Sequence, residues 1–314
     1  MKLIIQIPCF NEQETLHIAL AALPREVEGF DTVEWLVIND GSSDETFRVA
    51  SENGVDHIVN FSKNQGLAKA FMAGVSECLA QGADVIVNTD ADNQYEADDI
   101  PKLVTPVLEG KADYVIGARP ISKTEHFSST KKLLQKLGSW VVRVASGTDI
   151  PDAPSGFRAM SRECAAQLNV YNDYTYTLET IIQGGRKGMA ITSVPIRTNE
   201  DLRPSRLLSS IPNYIKKSIF TILRIFVVYQ PFKFFMTIAL SVFSVGFLLG
   251  LRFLYFYFTG EGDGHIQSVI LASILMAIGF QTGLIAFIAD LLSVNRTLLE
   301  ELRAKSNIKP RPKK

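Results

Sequence analysis

The amino-acid sequence predicts an α/β fold, a mainly parallel sheet with helices on both faces, joined to helices of membrane type. Two observations carry the prediction. From Met1 to about Arg197, β-branched apolar runs of strand length alternate with segments of helical periodicity. That alternation is the pattern of strand–helix–strand units, whose crossovers cover a sheet on both sides. Beyond Leu207 the chain changes to apolar stretches longer than the roughly 20 residues that span a hydrocarbon core.

Each element follows from its own stretch. "KLIIQIPCF" is a buried strand that ends at Asn11 and Glu12, and "NEQETLHIALAAL" then takes helical spacing. "VEWLVIND" is the next strand, closed by Asp40 and by "GSSDET", in which Asp44 is placed to cap a helix. "HIVNFS" and "DVIVNTD" are strands on either side of the helix "GLAKAFMAGVSECLAQG", and "DYVIGA" is another. In open α/β sheets ligands bind beyond the carboxyl ends of the strands. The polar residues after each apolar run are therefore the candidates: Asn11 and Glu12, Asp40, Asn64, and the pair Asp90 and Asp92.

Composition excludes several classes. The 314 residues, 46% of them hydrophobic, suffice for one large domain or two smaller ones. Lys and Arg total 32 against 33 Asp and Glu, so no basic field marks the chain for nucleic acid. Cys9, Cys78 and Cys164 are far apart and lack CxxC spacing, which speaks against a disulfide framework or a zinc knuckle and for a reducing, cytosolic setting. The opening "MKLIIQIPCFNE" is too short an apolar run for a signal peptide, so the sheet is expected in the cytoplasm. Neither GxGxxG nor a P-loop occurs, which removes the dinucleotide oxidoreductase and P-loop readings.

Residues 207–230, "LLSSIPNYIKKSIFTILRIFVVYQ", mix Lys216, Lys217 and Arg224 with bulky apolar residues, as amphipathic helices at a membrane surface do. Within 231–292, "FKFFMTIALSVFSVGFLLGLRFLYFYF" and "HIQSVILASILMAIGFQTGLIAFIADLL" predict a two-helix transmembrane hairpin, followed by a basic tail over 293–314. Cations flank the outer ends of the pair, at Lys216, Lys217, Arg224 and Lys233 and again at Arg296, Arg303, Lys305 and "KPRPKK", whereas the connecting "TGEGDGH" has none. The positive-inside rule then puts both termini in the cytoplasm. Arg252 is expected to snorkel from an interfacial aromatic belt, "RFLYFYF".

"VNTDADNQ" places two carboxylates one residue apart at the end of a strand, where keeping both ionised calls for a cation. A hard divalent ion, Mg²⁺ or Mn²⁺, with oxygen ligands from Asp92, Gln94 and Asp90 is one answer. The other is a turn in which Asp90 and Asp92 cap the helix near Asp98. His17, His57, His126 and His265 fall outside these motifs and are expected to be structural or superficial.

In order and spacing, "IPCFNE", "VINDGSSDET", "NQGLAKAFMAG", "DADNQYEADDI", "YVIGAR", "SGFRAMSR" and "VPIRT" resemble the family 2 glycosyltransferases of the GT-A fold. Within that family the chain resembles the polyprenyl-phosphate sugar transferases of the dolichyl-phosphate mannose synthase type that carry a C-terminal membrane hairpin. The resemblance implies a GT-A domain over 1–206 and an inverting, metal-dependent transfer of a sugar from a nucleotide diphosphate to a membrane polyprenyl phosphate. It further implies that Pro8, Phe10, Asn11 and Glu12 line the nucleotide pocket, that Ile38 and Asp40 touch the base, and that Asp90 and Ala91 meet ribose and diphosphate. Asp92 and Gln94 would bind the metal and Arg119 a phosphate. Arg158 would lie near the sugar or acceptor, with a structural ion pair the alternative, and Glu179 would bind the sugar.

Two departures stand out. Where relatives end the domain with an Arg three residues before a Gly, "TNEDLRPSRL" has Glu200 and Arg203, so the donor-phosphate grip is expected from Arg203 and Arg206. "QKLGSWVVRVASG" replaces the family's acceptor-helix segment, which leaves Lys131, Lys132 and Arg143 as surface cations. The rival readings are a transferase for another lipid or a growing polysaccharide, which would call for QxxRW and more spans, and a membrane-tethered protein that binds nucleotide sugars without turnover. Self-association is expected from the resemblance.

Overall fold

The computed structural model describes residues 1–120, 139–170, 176–200, 220, 223–224, 226–260 and 265–307. The chain divides into two compact units, Met1–Ile219 with Leu302–Lys314, and Phe220–Glu301.

The first unit holds β1 (Lys2–Cys9), α1 (Leu16–Ala22), β2 (Thr32–Asn39), α2 (Thr46–Glu52), β3 (His57–Asn60), α3 (Leu67–Ala80), β4 (Val85–Asn88), α4 (Ile100–Leu108) and β5 (Tyr114–Ala118). It continues with β6 (Arg158–Ser161), α5 (Arg162–Gln167), α6 (Thr177–Arg186) and β7 (Ile191–Pro195). The seven strands lie in the order β3-β2-β1-β4-β6-β5-β7, parallel except for β6, which runs antiparallel between β4 and β5.

Every residue of β1 from Leu3 to Cys9 is buried, which is why its sequence is a continuous apolar run instead of an alternation. Leu3, Ile5 and Ile7 pack on Leu16 and Leu20 of α1 and Ile100, Leu103 and Val104 of α4, while α3 covers β1 and β2 with Phe71 and Val75. The chain passes from β1 to β2 on one side and returns to β4 on the other. This reversal opens a crevice at the carboxyl ends of β1 and β4, where α/β sheets take ligands.

Two boundaries differ from the expectation. Helix α1 begins at Leu16, because residues 11–15 are held in a loop by side chains of the next βα connection. Strand β6 was not distinguished in the sequence, since "RAMS" is four residues long and opens with a charged side chain that proves fully buried.

The second unit is dominated by α7 (Pro231–Phe258) and α8 (Ile266–Asn307), both long and apolar enough to cross a membrane. They pack through small residues. A Cβ on Gly246 would lie 2.9 Å from the Ala272 carbonyl oxygen, and one on Gly279 2.8 Å from the Phe243 backbone nitrogen. Ala239, Ala272 and Ala286 are buried along the same seam, and Phe232 meets Phe287 edge-on at 5.3 Å. Lipid-embedded helices associate by this kind of close approach, having no hydrophobic drive between them. Arg252 is exposed with its guanidinium 5.6 Å from the Phe256 ring, one turn on. Helix α8 runs on to Asn307, so the expected tail from 293 starts as helix. Of the interfacial segment 207–230, only 220, 223–224 and 226–230 lie among the described residues.

Candidate active site

Parallel pairing of β1 with β2 sets Pro8 beside Ile38 and Cys9 beside Asn39, and the Asp40 amide donates to the Cys9 carbonyl at 2.8 Å. The two connections that follow therefore leave the sheet side by side and knit together. The Asn11 amide donates to Ser42 Oγ (2.9 Å), the Ser43 amide to Asn11 Oδ1 (2.9 Å) and the Glu12 amide to Thr46 Oγ1 (2.8 Å). Asp44 accepts from the Thr46 amide at 3.0 Å and from the Gln13 amide at 3.2 Å, but it stands one residue before the N-cap of α2, which is Glu45 and has no side-chain cap, so it ties the two connections together and is not the N-cap expected. Asn11 and Glu12 thus build the wall of the crevice, while the Phe10 ring, 41% exposed, is its accessible apolar surface.

Asp40 is buried and spends one oxygen on the Gln65 amide (2.7 Å) and the other on the Gly66 amide (2.9 Å). It clamps the start of α3 against the end of β2. Gly41 makes that approach possible: its φ is +66°, and a Cβ there would stand 2.3 Å from the Lys63 carbonyl carbon.

Beyond β4 comes the acidic turn. Asn88 is fully buried and saturated: Oδ1 accepts from Gln6 Nε2 (2.9 Å), and Nδ2 donates to the Gly156 carbonyl (2.8 Å) and to Tyr176 Oη (2.9 Å). Asp90 emerges above this network, hydrogen-bonded to the Tyr95 hydroxyl, which also accepts the Gly156 amide at 2.9 Å. Burial, with the Asp92 charge adding to it, pushes the Asp90 carboxyl up to about 7 against the pull of Arg119 and Tyr95. Asp92 Oδ1 accepts the Gln94 amide at 3.2 Å, and Asn93 between them is left-handed at φ +53°. Neither acid caps the following helix: the short 3-10 turn Ala97–Asp99 has Glu96 at its N-cap and no side-chain cap. The capping alternative is therefore removed.

Arg119 makes a two-pronged pair with Asp152, Nε to Oδ2 at 2.7 Å and Nη2 to Oδ1 at 3.0 Å, and its charge also acts on Asp90. Arg158 sits where the sequence did not place it. It is fully buried, with Nε on the Ser155 carbonyl (2.6 Å), Nη1 on Tyr114 Oη (2.8 Å), the Thr177 carbonyl (2.9 Å) and Thr180 Oγ1 (2.9 Å), and Nη2 on the Ala153 carbonyl (2.7 Å). It holds the floor of the site with neutral acceptors, and is neither presented to a ligand nor in a salt bridge among the described residues. Glu179 is buried in the first turn of α6, and Ala91 is buried beside the acids. Arg203 and Arg206 lie outside the described residues.

Tyr95, Asn88, Gly156, Asp152 and Asn199 carry no functional signal in their local sequence. Asp152 was visible only as an acid shortly before "SGFR", and its partner is 33 residues away. Among the described residues no group of three or more His, Cys, Asp or Glu gathers at one point. A hard divalent cation still fits the donor set: two carboxylates and the Gln94 amide are oxygen ligands, and Mg²⁺ commonly takes one or two carboxylates and completes its shell with phosphate and water. A cation would also offset the burial and the Asp92 charge that together raise the Asp90 carboxyl.

A sequence profile described as glycosyl transferase family 2 matches residues 4–168. The undecaprenyl-phosphate mannosyltransferase of Micrococcus luteus is 30% identical over 207 residues, covering 62% of this chain and 83% of that protein. The dolichol-phosphate mannosyltransferase of Pyrococcus furiosus is 31% identical over 204 residues, 62% of this chain and 56% of that protein. In fold, the chain resembles the glucosyl-3-phosphoglycerate synthase of Mycobacterium tuberculosis solved with Mn²⁺, UDP and glucosyl-3-phosphoglycerate, with a TM-score of 0.54, 20% identity, and 70% of this chain and 79% of that one covered. The same enzyme in complex with phosphoglyceric acid gives a TM-score of 0.56 at 20% identity, again covering 70% of this chain and 79% of that one. The crevice lies where these strand ends and the acidic turn require it, and the chain belongs to glycosyl transferase family 2.

Proposed function

We propose that this glycosyltransferase moves a sugar from a nucleotide diphosphate to a polyprenyl phosphate in the membrane, with inversion and with a divalent cation bound. The observation that carries the reading is the pairing, in one chain, of the Asp90–Asp92 turn at the switch point with two helices of membrane-crossing length. Relatives named for undecaprenyl-phosphate and dolichol-phosphate acceptors support the acceptor class, and the neighbour holding Mn²⁺ with UDP supports the donor and metal.

Charge is the problem such a site must solve. A phosphate nucleophile is anionic at neutral pH and needs no strong base, but two anions ~4 Å apart repel by about 4 kcal/mol at an effective dielectric near 20. Asp92, Gln94 and Asp90 would hold a Mg²⁺ or Mn²⁺ ion, which when bound offsets this repulsion and stabilises the departing nucleotide diphosphate. Asp90 must give up its proton to serve there. The Tyr95 hydroxyl and the Arg119 charge favour the ionised form and keep the carboxylate oriented. Asp152 in turn fixes the Arg119 guanidinium in one plane. Arg203 and Arg206 are assigned to the donor phosphates. Phe10 offers the base its ring, with Pro8 and Ile38 behind it at the strand ends.

The membrane helices answer a second requirement. Each buried CH₂ is worth roughly 0.8 kcal/mol, so drawing a long prenyl chain into water would cost tens of kcal/mol. The enzyme must meet its acceptor at the bilayer. By the charge asymmetry of the flanks, both termini and the sheet domain are assigned to the cytoplasmic side of the cell membrane.

The test is incubation of membranes bearing the protein with radiolabelled nucleotide sugars and undecaprenyl phosphate, followed by extraction into organic solvent. Metal-dependent label in the lipid fraction, lost in Asp92→Ala, is the expected result. Label confined to water-soluble polymer would refute the acceptor, and full labelling by Asp92→Ala would refute the metal ligand.

A further inference from the structure

The chain leaving β7 runs antiparallel to the acidic turn and touches each of its residues from Asn93 to Glu96. The Asn199 carboxamide donates from Nδ2 to the Asn93 carbonyl (2.9 Å) and the Tyr95 carbonyl (3.3 Å). The Asn199 amide donates to the Gln94 carbonyl (2.9 Å), Thr198 bridges Tyr95, and the Glu96 amide reaches the Arg197 carbonyl at 3.4 Å. One residue before Thr198, Arg197 is tied to the fully buried Asp99 by its backbone amide (2.7 Å), Nε (3.1 Å) and Nη2 (2.9 Å). The strap is thus anchored at Arg197 and ends on the turn at Asn199.

The point it grips is the left-handed one. Asn93 has φ +53°, a region that asparagine enters more readily than other side-chain-bearing residues but that still competes with the right-handed and extended alternatives. Its neighbours on either side are Asp92 and Gln94, so the rotation at Asn93 sets the angle between their side chains. Among the described residues the Asn199 carboxamide bonds only to this turn. Its chemistry is suited to the place: it brings N–H donors to two carbonyls, where a carboxylate would repel both and a methyl would leave both bare.

We propose that Asn199 is a positioning residue for the divalent cation, holding Asn93 left-handed so that Asp92 and Gln94 present their oxygens to one ion. The proposal rests on the metal reading above and assigns to this chain a supporting residue outside the acidic motif. Outer residues of this kind typically change metal affinity by 10–100-fold when removed.

The experiment is a titration of the purified full chain in detergent with Mn²⁺ alone, free Mn²⁺ being read by electron paramagnetic resonance, with thermal midpoints recorded in parallel. The unaltered protein is expected to bind, Asp92→Ala to lose binding, and Asn199→Ala to bind 10–100-fold more weakly with little change in midpoint. Asn199→Asp, which keeps the size and removes the donors, is expected to weaken binding at least as much, and carries the test if the alanine variant does not fold. Affinity within twofold of the unaltered protein in both Asn199 variants, with Asp92→Ala inactive in binding, would overturn the proposal and leave the metal reading intact. Lowered midpoints with unchanged affinity would likewise overturn it, marking a structural strap only. No Mn²⁺ binding by the unaltered chain would overturn both.

Discussion

Replacing Gly156 by alanine adds one methyl group directly beneath the Asp90 carboxylate. A Cβ at Gly156 would stand 2.9 Å from both Asp90 oxygens and 3.2 Å from the carboxyl carbon, where ordinary contacts begin at 3.4 Å. The carboxylate must therefore retreat by about 0.5 Å, since Gly156 itself is pinned by its amide on Tyr95 Oη and its carbonyl on Asn88 Nδ2. Gly156 does not occupy the left-handed region, so alanine carries no conformational penalty of its own and the effect is one of space. Overpacking of this size costs typically 1–3 kcal/mol of stability. The functional loss is larger in proportion, because a misplacement of ~1 Å can cost about 100-fold and half of that about tenfold. The assay is lipid labelling at a series of Mn²⁺ concentrations. Gly156→Ala is expected to lower kcat/KM by ~10–100-fold and to raise the Mn²⁺ concentration at half-activity. Full activity with an unchanged metal requirement would show that Asp90 does not need its present position and would refute its role in holding the cation.

Two further outcomes are expected. Burial would raise the Asp99 carboxyl, but hydrogen bonds from Arg197 and Lys102 outweigh it and lower the group to about 2. Its contribution to stability is present above the usual carboxylate value near 3.8 and is lost as pH falls towards 2; with Arg197 and Lys102 more than half exposed, it amounts to about 1 kcal/mol. Thermal midpoints of the unaltered chain should drop through that window and those of Asp99→Asn should drop less; parallel curves would refute the pairing. The Ser155 hydroxyl is buried without a hydrogen-bond partner among the described residues, which costs roughly 1–3 kcal/mol. Ser155→Ala is expected to raise the midpoint, and a lowered one would mean that the hydroxyl is bonded in solution.

Much of the site was legible because strand ends are legible. Asp40, Asp90 and Asp92 were found as polar residues that terminate apolar runs, and the parallel sheet puts such residues on one edge. Their separate duties were not legible. Asp40 clamps two backbone amides, Asp90 carries its proton to about 7, and Asp92 folds onto its own turn, three fates for one residue type decided by what packs around it. Arg158 illustrates the limit most clearly, since "SGFR" gives no hint that the guanidinium points inward to five acceptors drawn from three segments, the loop before β6, β5 and α6.

The sequence alone determined what depends on periodicity and on order along the chain. Alternating strand and helix spacing fixed the class of sheet, and uninterrupted apolar length fixed the two membrane-type helices, because both follow from local burial. Tertiary structure alone decided the antiparallel β6, the Arg119–Asp152 pair, the Asn88 network and the strap from Arg197 to Asn199 under the acidic turn. These join residues 33 to 106 positions apart. Hydrogen bonds of that separation leave no period in a sequence, since only the folded sheet brings their donors and acceptors within reach.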